Sequence, residues 1–406
     1  VSDTDVEKRL RIGDVNDERR ARLSTGILLT VCTWFLSRVI VALNWNAARN
    51  PFSFSTAQWN HQDSRNYLAI AAHGPTFGRC GAPGFPQNVI SLETHMTYCG
   101  TAGWLPGYPW LVHVLHLLGI GRPQAGVFIS WFATAAAIFL VWFGWGRDLR
   151  WTRSLIVLLL FALFPGSVYN FAIFPTSLAL ALLVGGILAA SRERFLIAAL
   201  LLILAGLCYP TAVFAAIGVA VGLVLAALPL GSVAVVRRAG WGLLGTGSIL
   251  VLAILDQIVL GQANAFYLYN NQAVGSVFAA GSHFIDLFFR QNSVQQRGMG
   301  QPAAALLPLQ VLVALALSGG AVLVTARNWV HKERIPSQIY PAMAGIFVFI
   351  ALCVTDTNSW NRSIVLAAPC VVCLRRLPIP LLCCLLAVTG VTTAVISRYF
   401  FNGKFI

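Results

Sequence analysis

The chain has 406 residues, 57% of them hydrophobic and only 10% charged, with a mean hydropathy of +0.74. That composition excludes an ordinary soluble domain and points to an all-α polytopic membrane protein, because lipid offers backbone polar groups no partner outside a helix. The formal net charge of +14 does not signal nucleic-acid binding, since the basic residues stand in short clusters between apolar runs, where they set membrane orientation.

Residues 1–24 form a basic N-terminal segment (Lys8, Arg9, Arg11, Arg19, Arg20, Arg22), and the apolar run that follows has no small-residue cleavage site. A cytoplasmic segment is expected there, not a cleaved signal peptide. Residues 25–406 read as a single transmembrane domain. Apolar runs fall at about 25–44, 124–144, 154–168, 172–190, 195–208, 211–230, 241–260, 303–325, 339–355, 363–374 and 378–396, with Leu105–Ile120 ambiguous. If Leu105–Ile120 does not cross, then Arg147, Arg150 and Arg153, Arg192 and Arg194, Arg237 and Arg238, Arg327, Lys332 and Arg334, and Arg375 and Arg376 all fall on the N-terminal side. If it does cross, several clusters flip outward, against the positive-inside tendency. The expectation is therefore eleven spans, N-terminus inside and C-terminus outside. Leu105–Gly119 then forms a short interfacial or re-entrant helix, interrupted by Pro106, Gly107 and Pro109. The run 363–374 is short for a span.

Two large segments, 45–123 and 261–302, then face outward, joined by small connections at Val168–Phe174 and Thr355–Arg362. Nearly all the unusual polar chemistry lies on this face. Asp63 stands out, in the stretch Trp59-Asn60-His61-Gln62-Asp63-Ser64-Arg65-Asn66-Tyr67. Tyr67 to Ala72 reads as the start of an interfacial helix ended by Gly74 and Pro75. Asp63 has two compatible roles: it can cap that helix through its N-terminal amides, or serve as a catalytic base at the water–lipid boundary.

The stretch Gln62-Asp63-Ser64 to Tyr67, with Ile70-Ala71 and His73-Gly74, resembles the first outer loop of the PIG-V family, the GPI mannosyltransferase 2 proteins and their bacterial relatives. Leu105-Pro106-Gly107-Tyr108-Pro109 is similar to that family's aromatic-Pro-x-aromatic-Pro segment. Phe164-Pro165 to Phe174-Pro175-Thr176-Ser177-Leu178 is similar to its Pro…Tyr-x-Glu-Ser-Leu stretch, and Tyr209-Pro210-Thr211 looks like its Arg-Pro/Ser-Thr/Asn segment. The matches keep family order over about residues 25–220 and thin afterwards to Arg362 and Pro369. Gln62 replaces a usual Trp, Thr176 a common acid and Tyr209 a common Arg, which leaves the acceptor and the exact donor open.

The resemblance implies a GT-C type glycosyltransferase fold and a mannosyltransferase in a bacterial plasma membrane, with its active site facing outside. Its partners would be a polyprenyl-phosphate sugar donor, a lipid-linked or cell-envelope glycan acceptor and membrane lipids. Asp63 would be the catalytic carboxylate, deprotonating the acceptor hydroxyl. The leaving lipid phosphate calls for cations, and the candidates are Arg362, His283, Arg290 and Arg297. Arg362 also suits an interfacial anchor, and Arg290 and Arg297 suit lipid headgroups. Candidates for holding the acceptor or sugar are His61, Arg65, Tyr67, Glu93, Trp104 and Tyr108. No cofactor is expected to be required. A divalent cation is not indicated, because His113 and His116 show no third ligand. Cys80 and Cys99 are the cysteines of the expected outer loops, and an exported, oxidising setting favours a disulfide between them. Rival readings are a GT-C enzyme using another lipid-linked sugar such as arabinose, a lipid or solute transporter, and a non-catalytic scaffold. The transporter is disfavoured by the one-sided polar residues and the lack of internal repeats.

Overall fold

The computed structural model describes residues 3–42, 56–61, 63–85, 97–274, 306–330, 336–354 and 360–401. Helices dominate, in the order α1 (Asp3–Ala42), α2 (Ser64–His73), α3 (Gly107–Leu117), α4 (Arg122–Val141), α5 (Trp151–Ala162), α6 (Thr176–Ser191), α7 (Phe195–Cys208), α8 (Thr211–Ala227), α9 (Ser232–Gly245), α10 (Ser248–Leu260), α11 (Ala265–Val274), α12 (Leu306–Val330), α13 (Pro336–Val354) and α14 (Ile379–Phe401). Between α13 and α14 lie a four-residue helix, Trp360–Ser363, and a 3-10 helix, Ile364–Arg376.

Six helical stretches among the described residues are long and apolar enough to cross a membrane: Ala21–Ala42, Arg122–Gly146, Thr211–Leu230, Ser232–Leu260, Leu309–Val330 and Ile379–Phe401. Four further apolar helices, Trp151–Ala162, Thr176–Ser191, Phe195–Cys208 and Ser337–Cys353, are shorter. The run expected at 241–260 starts earlier, at Ser232, and breaks once between Gly245 and Ser248 where Thr246 and Gly247 close tight turns onto Leu243 and Leu244.

A larger difference concerns 363–374, counted among the spans although short for one. It is a 3-10 helix of 13 residues, and every residue from Ile364 to Leu374 is buried. The physical reason is reach. Thirteen residues at a rise of about 2.0 Å extend about 26 Å, against about 20 Å in an α-helix, so the tighter winding brings a short run close to hydrocarbon thickness. Its i and i+3 side chains eclipse, which places Cys370 and Cys373 on one side. Cys370 Sγ lies 3.8 Å from Ser318 Oγ on α12, and Cys373 Sγ donates to the Gln338 carbonyl on α13 at 3.2 Å. Both are buried free thiols that act as small packing groups.

The main hydrophobic core surrounds this 3-10 helix and is built from α4 to α8, α12 and α13. Small residues let the backbones approach, as membrane helix pairs require. A Cβ at Gly345 on α13 would sit 2.6 Å from Cys370 Cβ, and one at Gly218 on α8 would sit 2.4 Å from the Met343 carbonyl oxygen on α13. A second core lies beside it, where Val41, Trp59, Tyr67, Tyr108, Ile173, Phe174 and Phe400 pack around α2 and α3.

Outside the helical body, β1 (Phe77–Arg79) and β2 (Tyr98–Gly100) pair antiparallel with Gly78 opposite Cys99. The expected Cys80–Cys99 disulfide closes this hairpin. Gly100 has φ +119°, and a Cβ there would meet the Thr76 carbonyl at 2.3 Å, so the turn back to Thr76 requires glycine. One side chain docks the hairpin onto α11. The Gln272 carboxamide accepts from Thr97 N–H (3.0 Å) and Tyr98 N–H (2.8 Å) and donates to Tyr98 O (2.5 Å). The two large loop regions are thereby joined.

Gly218→Leu should separate α8 from α13 and destabilise the protein by about 1–3 kcal/mol, the usual cost of overpacking. Gly240→Ala on α9, where an added Cβ meets nothing within 4 Å, should leave the melting temperature unchanged. Equal melting temperatures for the two variants would remove the close-approach argument.

Candidate active site

Asp63 stands at the N-terminal end of α2. Its carbonyl accepts from Asn66 N–H (2.9 Å) and Tyr67 N–H (3.2 Å), but its carboxylate makes no capping bond. The expected capping role is therefore corrected. Asp63 is αR rather than extended, and its carboxylate is instead ion-paired to the Arg362 guanidinium, contributed from 299 residues further along the chain. A full charge at this boundary outcompetes backbone amides for the carboxylate. The Asp63 side chain is 22% exposed and that of Arg362 17%, so the pair is sheltered yet open on one side.

Arg362 is held from several directions. Its helix is anchored by the buried Trp360, whose indole N–H donates to Leu352 O at 2.7 Å, and its guanidinium lies 5.7 Å from the centre of the Phe174 ring. The next residue, Ser363, shares a hydrogen bond of 3.0 Å with the Tyr209 hydroxyl. Burial by itself pulls the Arg362 pKa down, the Asp63 carboxylate raises it, and the net direction is upward, so the guanidinium stays charged. Burial also pushes the phenols of Tyr67, Tyr169 and Tyr209 above their ordinary range. These three remain neutral.

An aromatic wall surrounds the pair. Tyr67 meets Tyr108 and Phe174 edge-on, each at 5.9 Å, and Tyr169 meets Phe174 at 5.1 Å and Phe400 at 5.2 Å. The His61 ring stands against Phe400 at 5.0 Å. Thr176, at the start of α6, donates to Tyr169 O at 3.0 Å and fixes the Phe174 turn. Beside this wall, Arg38 of α1 stacks on Trp131 at 3.6 Å and also faces Trp34 and Trp59. Trp59 in turn accepts Ile173 N–H at its carbonyl (3.0 Å), tying the segment before Asp63 to the Phe174 turn.

The structure thus unites Asp63, Arg362, Tyr67 and His61 from the sequence-derived candidates. Others are placed differently. Tyr108 is fully buried and its hydroxyl donates to Gly126 O at 2.8 Å, so the expected sugar contact there is replaced by a packing role that joins α3 to α4. Tyr67 is also buried and belongs to the same wall. Arg65 is exposed on α2, and Trp104 packs on Tyr269 of α11 at 5.5 Å. Glu93, His283, Arg290 and Arg297 lie outside the described residues. His113 and His116 each bond a backbone carbonyl through Nδ1, Ala71 O at 2.9 Å and Ile120 O at 3.0 Å. Among the described residues no three of His, Cys, Asp and Glu converge.

Sequence reasoning missed Tyr169, Ser363 and Phe400, and it noted Tyr209 only as a departure from a family pattern. The available signal was positional. Val168–Phe174 and Thr355–Arg362 were both expected on the face that carries Asp63, and residues of both connections meet there.

No protein-family model and no curated protein matches the chain. Among solved structures it is similar to the oligosaccharyltransferase of Archaeoglobus fulgidus in three forms. With a tethered acceptor peptide containing the NVT sequon, the TM-score is 0.48 at 11% identity, over 92% of this chain and 55% of that one. For the apo form the values are 0.47, 12%, 92% and 56%. For the archaeal AglB in complex with an inhibitory peptide and a dolichol-phosphate they are 0.49, 12%, 93% and 56%. The chain spans just over half the length of these proteins.

Breaking the pair should be costly from either side. Asp63→Asn and Arg362→Gln should each destabilise by roughly 1–3 kcal/mol, between the costs of breaking exposed and fully buried pairs. The double variant should lose less than the sum of the two, and strict additivity in a thermal-denaturation cycle would show that the two charges do not couple.

Proposed function

We propose that the chain is a GT-C type glycosyltransferase that takes a sugar, mannose in the first instance, from a polyprenyl-phosphate donor and passes it to a lipid-linked or cell-envelope glycan hydroxyl. The observation that carries this reading is the convergence of one carboxylate and one permanently charged guanidinium, Asp63 and Arg362, as a partly buried pair beside the aromatic core of Tyr67, Tyr169 and Phe174. Transfer of a sugar from a lipid phosphate needs these two functions side by side. The carboxylate accepts the proton of the attacking hydroxyl, and the cation meets the charge that develops on the departing phosphate.

In the proposed reaction the acceptor oxygen forms a bond to the anomeric carbon while the bond from that carbon to the phosphate oxygen breaks. The hydroxyl proton passes to the Asp63 carboxylate and the electron pair leaves with the lipid phosphate, beside Arg362. In the free protein Arg362 occupies the carboxylate. A donor phosphate competes for the same guanidinium, and its arrival frees a carboxylate oxygen for the acceptor. The neutral hydroxyls of Tyr67 and Tyr209 lie within the electrostatic reach of Arg362 and offer donors rather than bases. The edge-on aromatic rings beside the pair lower the local dielectric, which strengthens both interactions. The expected orientation puts the Asp63–Arg362 pair on the outer face of a bacterial plasma membrane, with all eleven apolar runs crossing.

Purified wild type given short-chain polyprenyl-phosphate mannose and membrane glycolipids should transfer mannose. Asp63→Asn should lower kcat by about 10²–10⁴. The Asp63→Asn/Arg362→Gln double variant, whose stability loss should be smaller than the sum of the two single losses, should stay inactive. Transfer from a lipid-linked arabinose but not mannose would move the donor assignment, and full activity in Asp63→Asn would overturn the mechanism.

A further inference from the structure

A long apolar groove runs along the outside of α6, from Leu178, which packs against the second core, to Arg192 at the opposite end of the helix. Its volume is about 710 Å³, and α3, α4, α6 and α7 line it. Its floor is lowered by small residues, Ala133 and Ala136 on α4 and Ala181, Gly185 and Ala189 on α6. From Leu178 to Arg192 the groove follows α6 for about 21 Å, more than the roughly 15 Å of hydrocarbon in one leaflet. Its volume falls within the range of ligand-binding clefts and is enough for an acyl chain.

The groove's polar end is defined by Arg192 and Arg194, both exposed and both part of its lining. Arg192 is fixed above the Phe143 ring at 4.4 Å, and Arg147 shares that ring at 5.6 Å. Burial first, then the neighbouring cations Arg147 and Arg194, push the Arg192 pKa down. The neighbouring acids are already engaged, Asp148 with Arg147 at 3.8 Å and Glu193 with Arg238 at 3.0 Å. Among the described residues no carboxylate pairs with Arg192 or Arg194.

We infer that this groove binds a diacyl phospholipid with an anionic headgroup, the phosphate at Arg192 and Arg194 and an acyl chain along α6 between Phe132 and Leu182. Charge selects the class of lipid. A zwitterionic headgroup would bring a cationic amine among Arg147, Arg192 and Arg194, where the described neighbouring carboxylates, Asp148 and Glu193, already pair with Arg147 and Arg238. Position separates it from a sugar donor. Arg192 lies at the opposite end of the 16-residue α6 from the Phe174 turn, about 24 Å away along the helix, so a lipid whose phosphate sits at Arg192 cannot present a sugar to Asp63. This is a structural lipid site in the other leaflet.

The test uses the full chain in detergent, with phosphatidylglycerol and phosphatidylcholine of matched acyl chains, read by native mass spectrometry and by melting temperature. Phosphatidylglycerol should be retained and should raise the melting temperature, while phosphatidylcholine should do neither. Arg192→Gln/Arg194→Gln should weaken retention roughly 30-fold, about fivefold for each charge near the headgroup. Gly185→Leu, whose side chain would enter the groove beside Leu201 and Leu140, should abolish retention with both charges intact. Arg237→Gln, an exposed arginine outside the groove, should bind as wild type. Equal retention of both lipids, retention undiminished in the double variant, or displacement of phosphatidylglycerol by equimolar polyprenyl phosphate would each overturn the assignment.

Discussion

The ion pair between Asp63 and Arg362 is the constraint on which the arrangement of this protein turns. Each charge sits where an apolar body meets its surroundings, and neither could be sheltered there alone at tolerable cost. Their pairing draws the segment before α2 onto the segment before the 3-10 helix. The Phe174 turn is then held between them, through its stacking on Arg362 and the Trp59 carbonyl bond to Ile173. Five separate parts of the chain, around residues 61–67, 169–176, 209, 360–363 and 400, are fixed relative to one another by this one electrostatic contact and the aromatic rings that cover it.

The 3-10 helix continues directly from the short helix that carries Arg362. Arg362 must reach Asp63 at one end of the bundle, while Arg375 and Arg376 end the same buried segment at the other. Thirteen residues wound as an α-helix would fall several ångströms short of the length that the tighter 3-10 winding supplies. The cost of its poorer hydrogen-bond geometry is offset by complete burial against α12 and α13, with Gly345 allowing the close approach. The two ends of α6 show a similar division. Its N-terminal end carries the Phe174 turn beneath the catalytic candidate, and its C-terminal end carries the arginines of the apolar groove.

Much of this was legible in local pattern. The apolar runs, the helix ended by Gly74, the short helix broken from its neighbours at Pro106, and the pairing of Cys80 with Cys99 follow from periodicity, turn chemistry and the count of cysteines in the expected loops. Asp63 and Arg362 could each be singled out because a charge beside a membrane-length run is rare and demands a reason. Asp63 as a helix cap was also a sound local expectation. It failed because capping is a contest between neighbouring amides and any stronger partner, and the stronger partner lies 299 residues away.

By itself the sequence determined what depends on composition and short spacing: a helical, membrane-type body, its basic connections and the few residues capable of acid–base chemistry. Only the tertiary structure decided which of those residues meet. It paired Asp63 with Arg362, buried Tyr108 in the α3–α4 contact, and brought Tyr209 and Tyr169 to the same place. Electrostatic pairing and close packing act through space between residues far apart in the chain, and no spacing rule within a single helix or loop encodes them.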